Sequence, residues 1–568
     1  MLQIATGKLF TRTASRTNRL RGVLYTNARF GFDERRIETA AGTLLSTTPE
    51  NGVHPVIFEM DEQIESHASG KDFLISHTMG PYLDDFAIVA TFGLQVLVSP
   101  DRDLVRDLTP SRGEGELGLS RYVARVFDPF VAVLEEDILD FEGFVGQLIG
   151  LERRHFLAAM RAMRTYVSAL HRLPENPAMA YALMVSAVEA LAQDFDAFEP
   201  AWAELDPRKR TAVDDALRDA PAEVADAVRA AIVSTEHVAL GRRYRAFVSG
   251  HVDGTYFRSA PADGRPVNRY ELQPALRNAY RFRSEYLHTL QRLPDDVGEP
   301  YGIWETVMVD REAALTLRGL SRLTRHVIRR FVEEGAVVAA EPYDYVMETS
   351  GVRMAHMAAE YWVWRPLETS AKARQKLEGL LEQYAAVLTR EPGAKITDLR
   401  SVLADVERLM PQAPEVDRPA MLALHYLFNG IVPDDIETPG CEAFLAAWEA
   451  AAEAPCPETF IARTLFDNAQ TWDTITFRKA HDLYFQQRTR PGGLHAPRIL
   501  EAAAILALTE RVRAEGETGE ARHLAASAVE IFPESFALRF FEANLDLDAP
   551  IDWRAVLLPS KCQKSPGD

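Results

Sequence analysis

The chain has 568 residues, which is too long for one hydrophobic core and predicts about three or four domains. Its apolar and charged fractions are those of ordinary globular proteins, so a large core is expected and wholesale disorder is excluded. The formal net charge of −20 argues against a general nucleic-acid coat, although a local basic groove can still lie on an acidic body.

The cysteines and the apolar runs both favour a cytoplasmic protein. Cys441, Cys456 and Cys562 show no pairing logic and no metal-ligand spacing, so we expect a reducing compartment and no metal site. The longest apolar run, Phe86 to Val98, is too short and too interrupted to span a bilayer. We interpret it as buried strands and expect no membrane association.

Residues 1–125 have the composition of a β-rich domain. They are rich in Thr, Val, Ile and Phe, and turn signals such as Thr48-Pro-Glu-Asn-Gly recur at short intervals. Runs such as Val56-Ile-Phe-Glu-Met and Leu94-Gln-Val-Leu-Val are typical of strands. We therefore predict a β-rich N-terminal domain over this range.

From residue 126 to residue 335 the apolar pattern becomes helical. Leu151 to Leu173 is predicted to be one helix, because its apolar residues recur every three or four positions. Ala178 to Phe195 is apolar on nearly all sides, as expected for a helix inside a bundle. A charged insert from Asp206 to Asp263 is predicted to be less ordered. Two more predicted helices follow it: Leu272 to Leu293 and Glu312 to Glu334.

Residues 336–568 are predicted to be mainly helical, with helices separated by Pro and Gly. Residues 502–535 match a single tetratricopeptide-like hairpin. An array of such repeats needs about three to be stable, so an ordinary helical hairpin is the alternative. The predicted fold class is thus mainly α and multidomain, and the C-terminal helices are a candidate surface for a protein partner.

One predicted helix carries a motif with chemical meaning. In Arg283-Ser-Glu-Tyr-Leu-His288, four residues separate an arginine from a histidine. Histidine can transfer a proton near neutral pH, and arginine can stabilise charge on phosphate oxygens through paired donors. The spacing alone is weak, since Arg490-Pro-Gly-Gly-Leu-His495 shares it within a predicted loop.

The setting of the first motif resembles the HEPN family of ribonucleases. Its Arg-Ser-x-x-x-His form is similar to that of the Apea-type branch, and a buried helix with Glu189 lies upstream, as in that branch. A further helix carrying Leu and Arg follows directly. The resemblance covers the central helical part of the chain, which is then a HEPN-like bundle. Ser284 departs from the Asn, Asp or His that many members outside this branch have there.

The resemblance implies a metal-independent RNA endonuclease without a cofactor, regulated by the flanking domains. His288 would then act in acid/base catalysis and Arg283 in phosphate stabilisation, with Glu189 and Ser284 in support. The active form would be a homodimer or a higher even-numbered homo-oligomer, because two such helices face each other in the family. Stress response or phage defence would be the biological setting.

Helix geometry offers a second arginine for the phosphate. At about 100° per residue, Arg283 and His288 lie roughly 140° apart. Arg277, Arg281, Ser284 and His288 share one stripe instead. Arg281 is therefore an alternative to Arg283 or a second phosphate contact. The side of the helix expected to pack inward is marked by Leu276, Tyr280 and Leu287.

The next predicted helix has a basic stripe. Arg318, Arg322, Arg325 and Arg329 recur at intervals of four, three and four residues. Beside the Arg-His helix, such a stripe is a candidate RNA-binding surface. A solvated charged face is the alternative. The competing function for the whole region is a non-catalytic HEPN-like protein that binds nucleotides or proteins, or acts as a scaffold.

Overall fold

The computed structural model divides the chain into two compact units, Met1–Arg353 and Met354–Asp568. Each unit has its own hydrophobic core. The chain is mainly helical with a small sheet near the N terminus, which confirms the predicted mainly α class. The structure describes residues 1–31, 35–47, 52–66, 77–109, 118–123, 125–195, 201–202, 205, 207–235, 240–259, 264–298, 302–349, 357–466 and 472–558.

The described strands all lie in the first unit. Five form one antiparallel sheet in the order β3-β4-β5-β1-β6, and β8 and β9 form a separate hairpin. Alternate side chains of β5 are buried, among them Phe58 and Glu62, so one carboxylate lies on the core face of this sheet. The strands are β1 Ala14–Thr26, β2 Ala28–Arg29, β3 Arg36–Thr39, β4 Gly42–Ser46, β5 His54–Glu65, β6 Val98–Ser99, β7 Val131–Ala132, β8 Thr306–Val309 and β9 Glu312–Leu315.

The helices of the first unit include each of the long ones predicted in its central part. The helices are α1 Leu2–Ala5, α2 Gly80–Leu94, α3 Arg102–Leu108, α4 Glu135–Gly150, α5 Arg153–Arg172, α6 Pro177–Phe195, α7 Pro207–Ala216, α8 Ala222–Thr235, α9 Leu240–Gly250, α10 Gly254–Arg258, α11 Arg269–Thr289, α12 Asp295–Gly298 and α13 Leu317–Glu334. The insert predicted to be less ordered is thus largely helical where it is described. The prediction of one helix from Glu312 is wrong at its start, because β9 occupies the first residues and Thr316 caps α13.

The prediction of buried strands over Phe86 to Val98 is wrong. Helix α2 covers most of this run, and only its last residue enters strand β6. The Phe86 ring stacks on Phe58 of β5 at 3.8 Å and meets Phe141 of α4 edge-on at 6.3 Å between ring centroids. A helix covered on both sides has no polar face, so its sequence lacks the helical period and resembles a buried strand.

The sheet and the central helices share one core. The hydrophobic cluster of the first unit runs from Leu2 to Val332, so the predicted boundary at residue 125 falls inside it. The unit also continues past the predicted boundary at residue 335. Backbone N–H groups of Glu341 and Tyr343 donate to the carbonyls of Lys8 and Leu9, at 3.0 and 3.2 Å. Residues 341–343 are therefore hydrogen-bonded to the N-terminal segment.

The second unit is built from helices in its described residues. Helices α21 and α22 form a hairpin where one was predicted, with Gly516 left-handed in the turn at φ +86°; its tetratricopeptide character remains a prediction. No described helix of the chain is both long and apolar enough to cross a membrane. The helices are α14 Ala373–Leu388, α15 Arg400–Leu409, α16 Arg418–Ile431, α17 Cys441–Ala447, α18 Glu449–Ala452, α19 Pro457–Leu465, α20 Thr474–Gln487, α21 Arg498–Ala514, α22 Thr518–Ile531, α23 Phe536–Ala543 and α24 Trp553–Leu557.

Candidate functional site on helix α11

Helix α11 carries the Arg-His motif and is fixed at both ends. Asn268 caps its first turn by accepting hydrogen bonds from the backbone N–H groups of Tyr270 and Glu271, at 2.9 and 3.0 Å. Leu290 ends it in the left-handed conformation, at φ +54°. One face packs against α6 and β9. The buried apolar residues on that face are Leu272, Ala275, Leu276, Ala279 and Phe282.

The motif arginine faces the interior of the unit. Arg283 forms an ion pair with Glu189 of α6, whose side chain is 4% exposed, and its guanidinium lies 5.6 Å from the Tyr280 ring centroid. Tyr280 donates its hydroxyl hydrogen to the same carboxylate at 3.1 Å. Burial and the neighbouring carboxylate raise the pKa of Tyr280 to about 12, so the phenol stays protonated and donates. Arg283 and Tyr280 together neutralise and satisfy a buried carboxylate.

The motif histidine faces solvent instead. His288 is exposed, and its side chain makes no hydrogen bond or ion pair with any residue that the structure describes. Arg277 and Arg281 lie on the same stripe and are largely exposed. Arg277 pairs with Glu312 at 3.2 Å. Arg281 donates to Oδ1 of Asn278 at 3.1 Å and lies 3.7 Å from Glu285. Surface pairs of this kind are weak and exchange readily with another anion.

The structure therefore separates the two residues that define the motif. Arg283 is 18% exposed and committed to a carboxylate, whereas Arg281 stands on the exposed side with His288. Ser284 lies between the two sides and is half-buried. Leu287, predicted to face inward, is 46% exposed, which corrects that assignment. The second Arg-His pair, at positions 490 and 495, lies in the loop between α20 and α21, as predicted.

The arginines of the basic stripe on α13 form hydrogen bonds with other segments of the first unit. Arg325 donates to the carbonyls of Phe92 and Gly93 in the last turn of α2, at 3.0 and 2.9 Å. Burial lowers the pKa of Arg325 to about 10, which leaves it charged at neutral pH. Arg322 makes two hydrogen bonds to the buried carboxylate of Glu305, at 2.5 and 2.9 Å. Both side chains satisfy groups that would otherwise be buried without partners.

The remaining two arginines of the stripe are also engaged. Arg329 makes a bidentate contact with Asp140 of α4, at 2.7 Å for each bond. Arg318 donates to the backbone carbonyl of Ser120 at 3.1 Å. The stripe is therefore not an open basic surface, and its RNA-binding role stays a prediction. The sequence pattern could not show this, because every one of these partners lies outside α13.

The polar partners of the site were found only in part from the sequence. Glu189 was predicted as a supporting residue, but Tyr280 was predicted only as an inward-facing side chain. Tyr280 lies three residues before Arg283, so both side chains are on one side of the helix. This spacing could have predicted that they share a partner. The sequence could not predict Glu305 as a partner, because this residue directly precedes β8 and belongs to no helical pattern.

No family model, curated protein or solved structure matches the chain. Within the part of the chain that the structure describes, no group of three or more His, Cys, Asp or Glu side chains is placed to hold a metal ion.

Proposed function

We propose that the helical part of the first unit is a metal-independent RNA endonuclease of the HEPN type. The observation that carries the proposal is the exposed side of α11, where His288 lies on one stripe with Arg281 and Arg277. An accessible imidazole beside two largely exposed guanidinium groups can bind a phosphodiester and move a proton. The proposal assigns proton transfer to His288.

RNA supplies its own nucleophile for this reaction. The 2′-hydroxyl attacks the adjacent phosphorus, the bond to the 5′-oxygen breaks, and the products carry a 2′,3′-cyclic phosphate and a 5′-hydroxyl. A histidine can accept the proton of the 2′-hydroxyl or protonate the leaving oxygen. An arginine stabilises the charge that develops on the phosphate oxygens. Neither step uses a metal or a cofactor.

The two motif arginines receive different roles. The resemblance gives the phosphate contact to Arg283, but its ion pair with buried Glu189 favours Arg281 for that contact. Arg283 then acts as a positioning residue that fixes α11 against α6. Ser284, half-buried between the two sides, is the candidate for a supporting hydrogen bond.

A second copy of the chain completes the proposed site. One copy supplies a single histidine to each cleavage event, and the same histidine serves poorly as base and acid in one displacement. Leu287 and Leu290, near the end of α11, are exposed apolar residues suited to face a second copy. We accordingly propose a homodimer or an even-numbered homo-oligomer that acts on RNA in the cytoplasm, in stress response or phage defence, with a protein partner at the C-terminal helices.

The second candidate is a non-catalytic HEPN-like protein that binds nucleotides or proteins. This candidate is favoured by the surroundings of Arg283 and His288. Glu189 neutralises Arg283, and no described residue orients the His288 ring. A catalytic histidine is commonly oriented by a hydrogen bond to its second nitrogen.

The chemistry of the product ends distinguishes the two candidates. The purified full-length protein is incubated with single-stranded RNA, and the 3′ ends of any fragments are identified. A 2′,3′-cyclic phosphate that disappears with His288→Ala supports the nuclease. RNA that is bound but stays intact, at concentrations where the protein is dimeric, supports the binding protein and contradicts the nuclease.

A further inference from the structure

A cavity of about 370 Å³ lies in the first unit, away from α11. It is lined by α1, the residues just before β1, the end of β5, and the first turn of α2 with the residues just before it, and also by residues 343–346 and Thr349. Cavities of this size hold small molecules. Its described lining includes the carboxylates of Glu62, Glu65 and Asp344 but only one cationic side chain, the guanidinium of Arg12. The part of the lining that the structure describes therefore has an excess of formal negative charge.

A buried carboxylate and a histidine form the wall of this cavity. Oε1 of Glu62 accepts hydrogen bonds from the hydroxyl of Tyr82 at 2.7 Å and from the backbone N–H of His77 at 3.2 Å. It also lies 3.2 Å from Nδ1 of His77. An ionised carboxylate only accepts, so Nδ1 carries a proton, and in the neutral imidazole Nε2 is then an acceptor.

The second ring nitrogen of His77 has no partner. The side chain is 8% exposed, and its Nε2 atom is buried without a hydrogen bond in the structure. A buried acceptor in this state is destabilising, so a ligand that brings an N–H donor to it gains binding free energy. The unpartnered Nε2 atom of His77 therefore favours a ligand that donates a hydrogen bond.

Tyrosine rings supply the aromatic part of the lining. Tyr82, Tyr343 and Tyr345 all line the cavity, and the rings of the last two lie 6.5 Å apart at 75°. Their hydroxyls hydrogen-bond to Glu62, Glu348 and Glu65. Burial raises the pKa of each phenol, for Tyr343 to about 12, so the rings stay neutral. Neutral tyrosine faces attract organic cations.

We infer that this cavity is a binding site for a small protonated aliphatic amine. The carboxylates of the lining attract its charge, the tyrosine rings contact its methylene groups and its ammonium, and its N–H groups supply donors for His77. Among the described lining residues, an anionic ligand would meet three carboxylates for one guanidinium. The inference is independent of the proposed nuclease activity, since none of these residues lies on α11.

Calorimetric titration of the full-length protein tests the inference with 1,4-diaminobutane as the probe. Two matched compounds separate the contributions. 1,4-Butanediol has the same length without charge, and tetramethylammonium has the charge without N–H donors. We expect saturable binding of the diamine, at least about tenfold weaker binding of tetramethylammonium, and none of the diol. No binding of the diamine, or equal binding of the diol, overturns the inference.

Two variants locate the binding. His77→Phe keeps a ring and removes both the acceptor and the Nδ1–H group that donates to Glu62, and we expect it to weaken diamine binding about tenfold or more. If that variant does not fold, Asp344→Asn decides, because this residue is exposed and asparagine can keep its hydrogen bond from the backbone N–H of Val346. It should weaken binding several-fold. Its control is Asp546→Asn, because Asp546 is also exposed and accepts the same kind of hydrogen bond, from the backbone N–H of Asp548. Equal affinities of these two aspartate variants overturn the inference.

Discussion

Helix α11 places two residues of one motif in opposite environments. His288 is exposed and has no partner among the described residues, whereas Arg283 is held against the buried carboxylate of Glu189. Truncating an exposed side chain rarely changes stability, but breaking a buried ion pair leaves one charge uncompensated. Effects on activity and on stability should therefore separate between these two positions.

The first prediction concerns the exposed histidine. His288→Ala should lower the rate of RNA cleavage by about two orders of magnitude or more, because it removes the group that transfers the proton. The midpoint of thermal unfolding should stay that of the parent. His495→Ala is the matched control, since it removes the histidine of the same spacing in the loop before α21. If His288→Ala cleaves as fast as the parent, the assignment of proton transfer is wrong.

The second prediction compares the two arginines. Arg283→Ala should lower the free energy of unfolding by about 3–5 kcal/mol, because Glu189 stays buried without its partner. Arg281→Ala should change stability by less than about 1 kcal/mol and lower the cleavage rate about a hundredfold. Urea unfolding and initial cleavage rates measure the two effects.

The comparison also decides between the family pattern and the helical stripe. If the family pattern holds, folded Arg283→Ala loses more activity than Arg281→Ala; if the stripe holds, it loses less. Small and equal losses of rate for both variants contradict a phosphate contact by either arginine. An unchanged unfolding free energy for Arg283→Ala contradicts its positioning role.

At the scale of elements, Arg325 connects α13 to the last turn of α2 through hydrogen bonds. Arg325→Met keeps the length of the side chain and removes the donors to the carbonyls of Phe92 and Gly93. We expect the free energy of unfolding to fall by about 2–4 kcal/mol, with RNA affinity unchanged. Arg161→Met is the control, because Arg161 forms an exposed pair with Asp194 that contributes little. Weaker RNA binding at unchanged stability would restore the RNA-binding role of the stripe.

The elements that could be predicted from the sequence are those with one polar face or a clear break. Helix α5 has a helical period and α6 follows a proline, so both were located to within a few residues. Helix α2 could not be recognised, because Phe86 and its neighbours are covered by the sheet on one side and by α4 on the other. Burial on all sides removes the pattern that identifies a helix.

The candidate site was predictable in its residues but not in their pairing. Glu189 and Arg283 were both identified, yet their ion pair depends on the packing of α6 against α11. Likewise, the spacing of the α13 arginines predicted a shared face. That Arg322 reaches Glu305 and Arg329 reaches Asp140 depends on tertiary structure. A period along one helix does not tell whether solvent or another segment covers it.

At the scale of the whole molecule, the reaction is expected to need only protein and RNA. Cleavage should proceed at the same rate in excess EDTA, because the attacking group in the proposed mechanism is the 2′-hydroxyl of the substrate. An RNA with a single 2′-deoxynucleotide at the cleavage position is the control and should stay intact there. Strict dependence on added magnesium or manganese would contradict the mechanism.

The proposed dimer brings the same face of α11 against itself, as a two-fold axis requires. Arg277 and Arg281 would then approach their copies, and salt screens repulsion between like charges. Glu285, one turn from Arg281 on the same helix, can bridge to the copy. We expect the dimer of the free protein to tighten as salt rises. Its affinity should depend less on salt when RNA neutralises the arginines.

The last prediction tests the dimer through its apolar surface. Leu290 is 74% exposed at the end of α11 and has a left-handed backbone, which asparagine adopts readily. Leu290→Asn should leave the monomer folded and weaken dimerisation at least about tenfold, because each copy loses about 1.5–3 kcal/mol of apolar burial. Phe536→Asn is the control, since Phe536 of α23 is equally exposed. Sedimentation velocity and specific activity, each measured across a range of protein concentrations, should give the same midpoint concentration for dimerisation. Only Leu290→Asn should shift that midpoint, and Phe536→Asn should not. A strictly monomeric species with full activity would contradict the composite site.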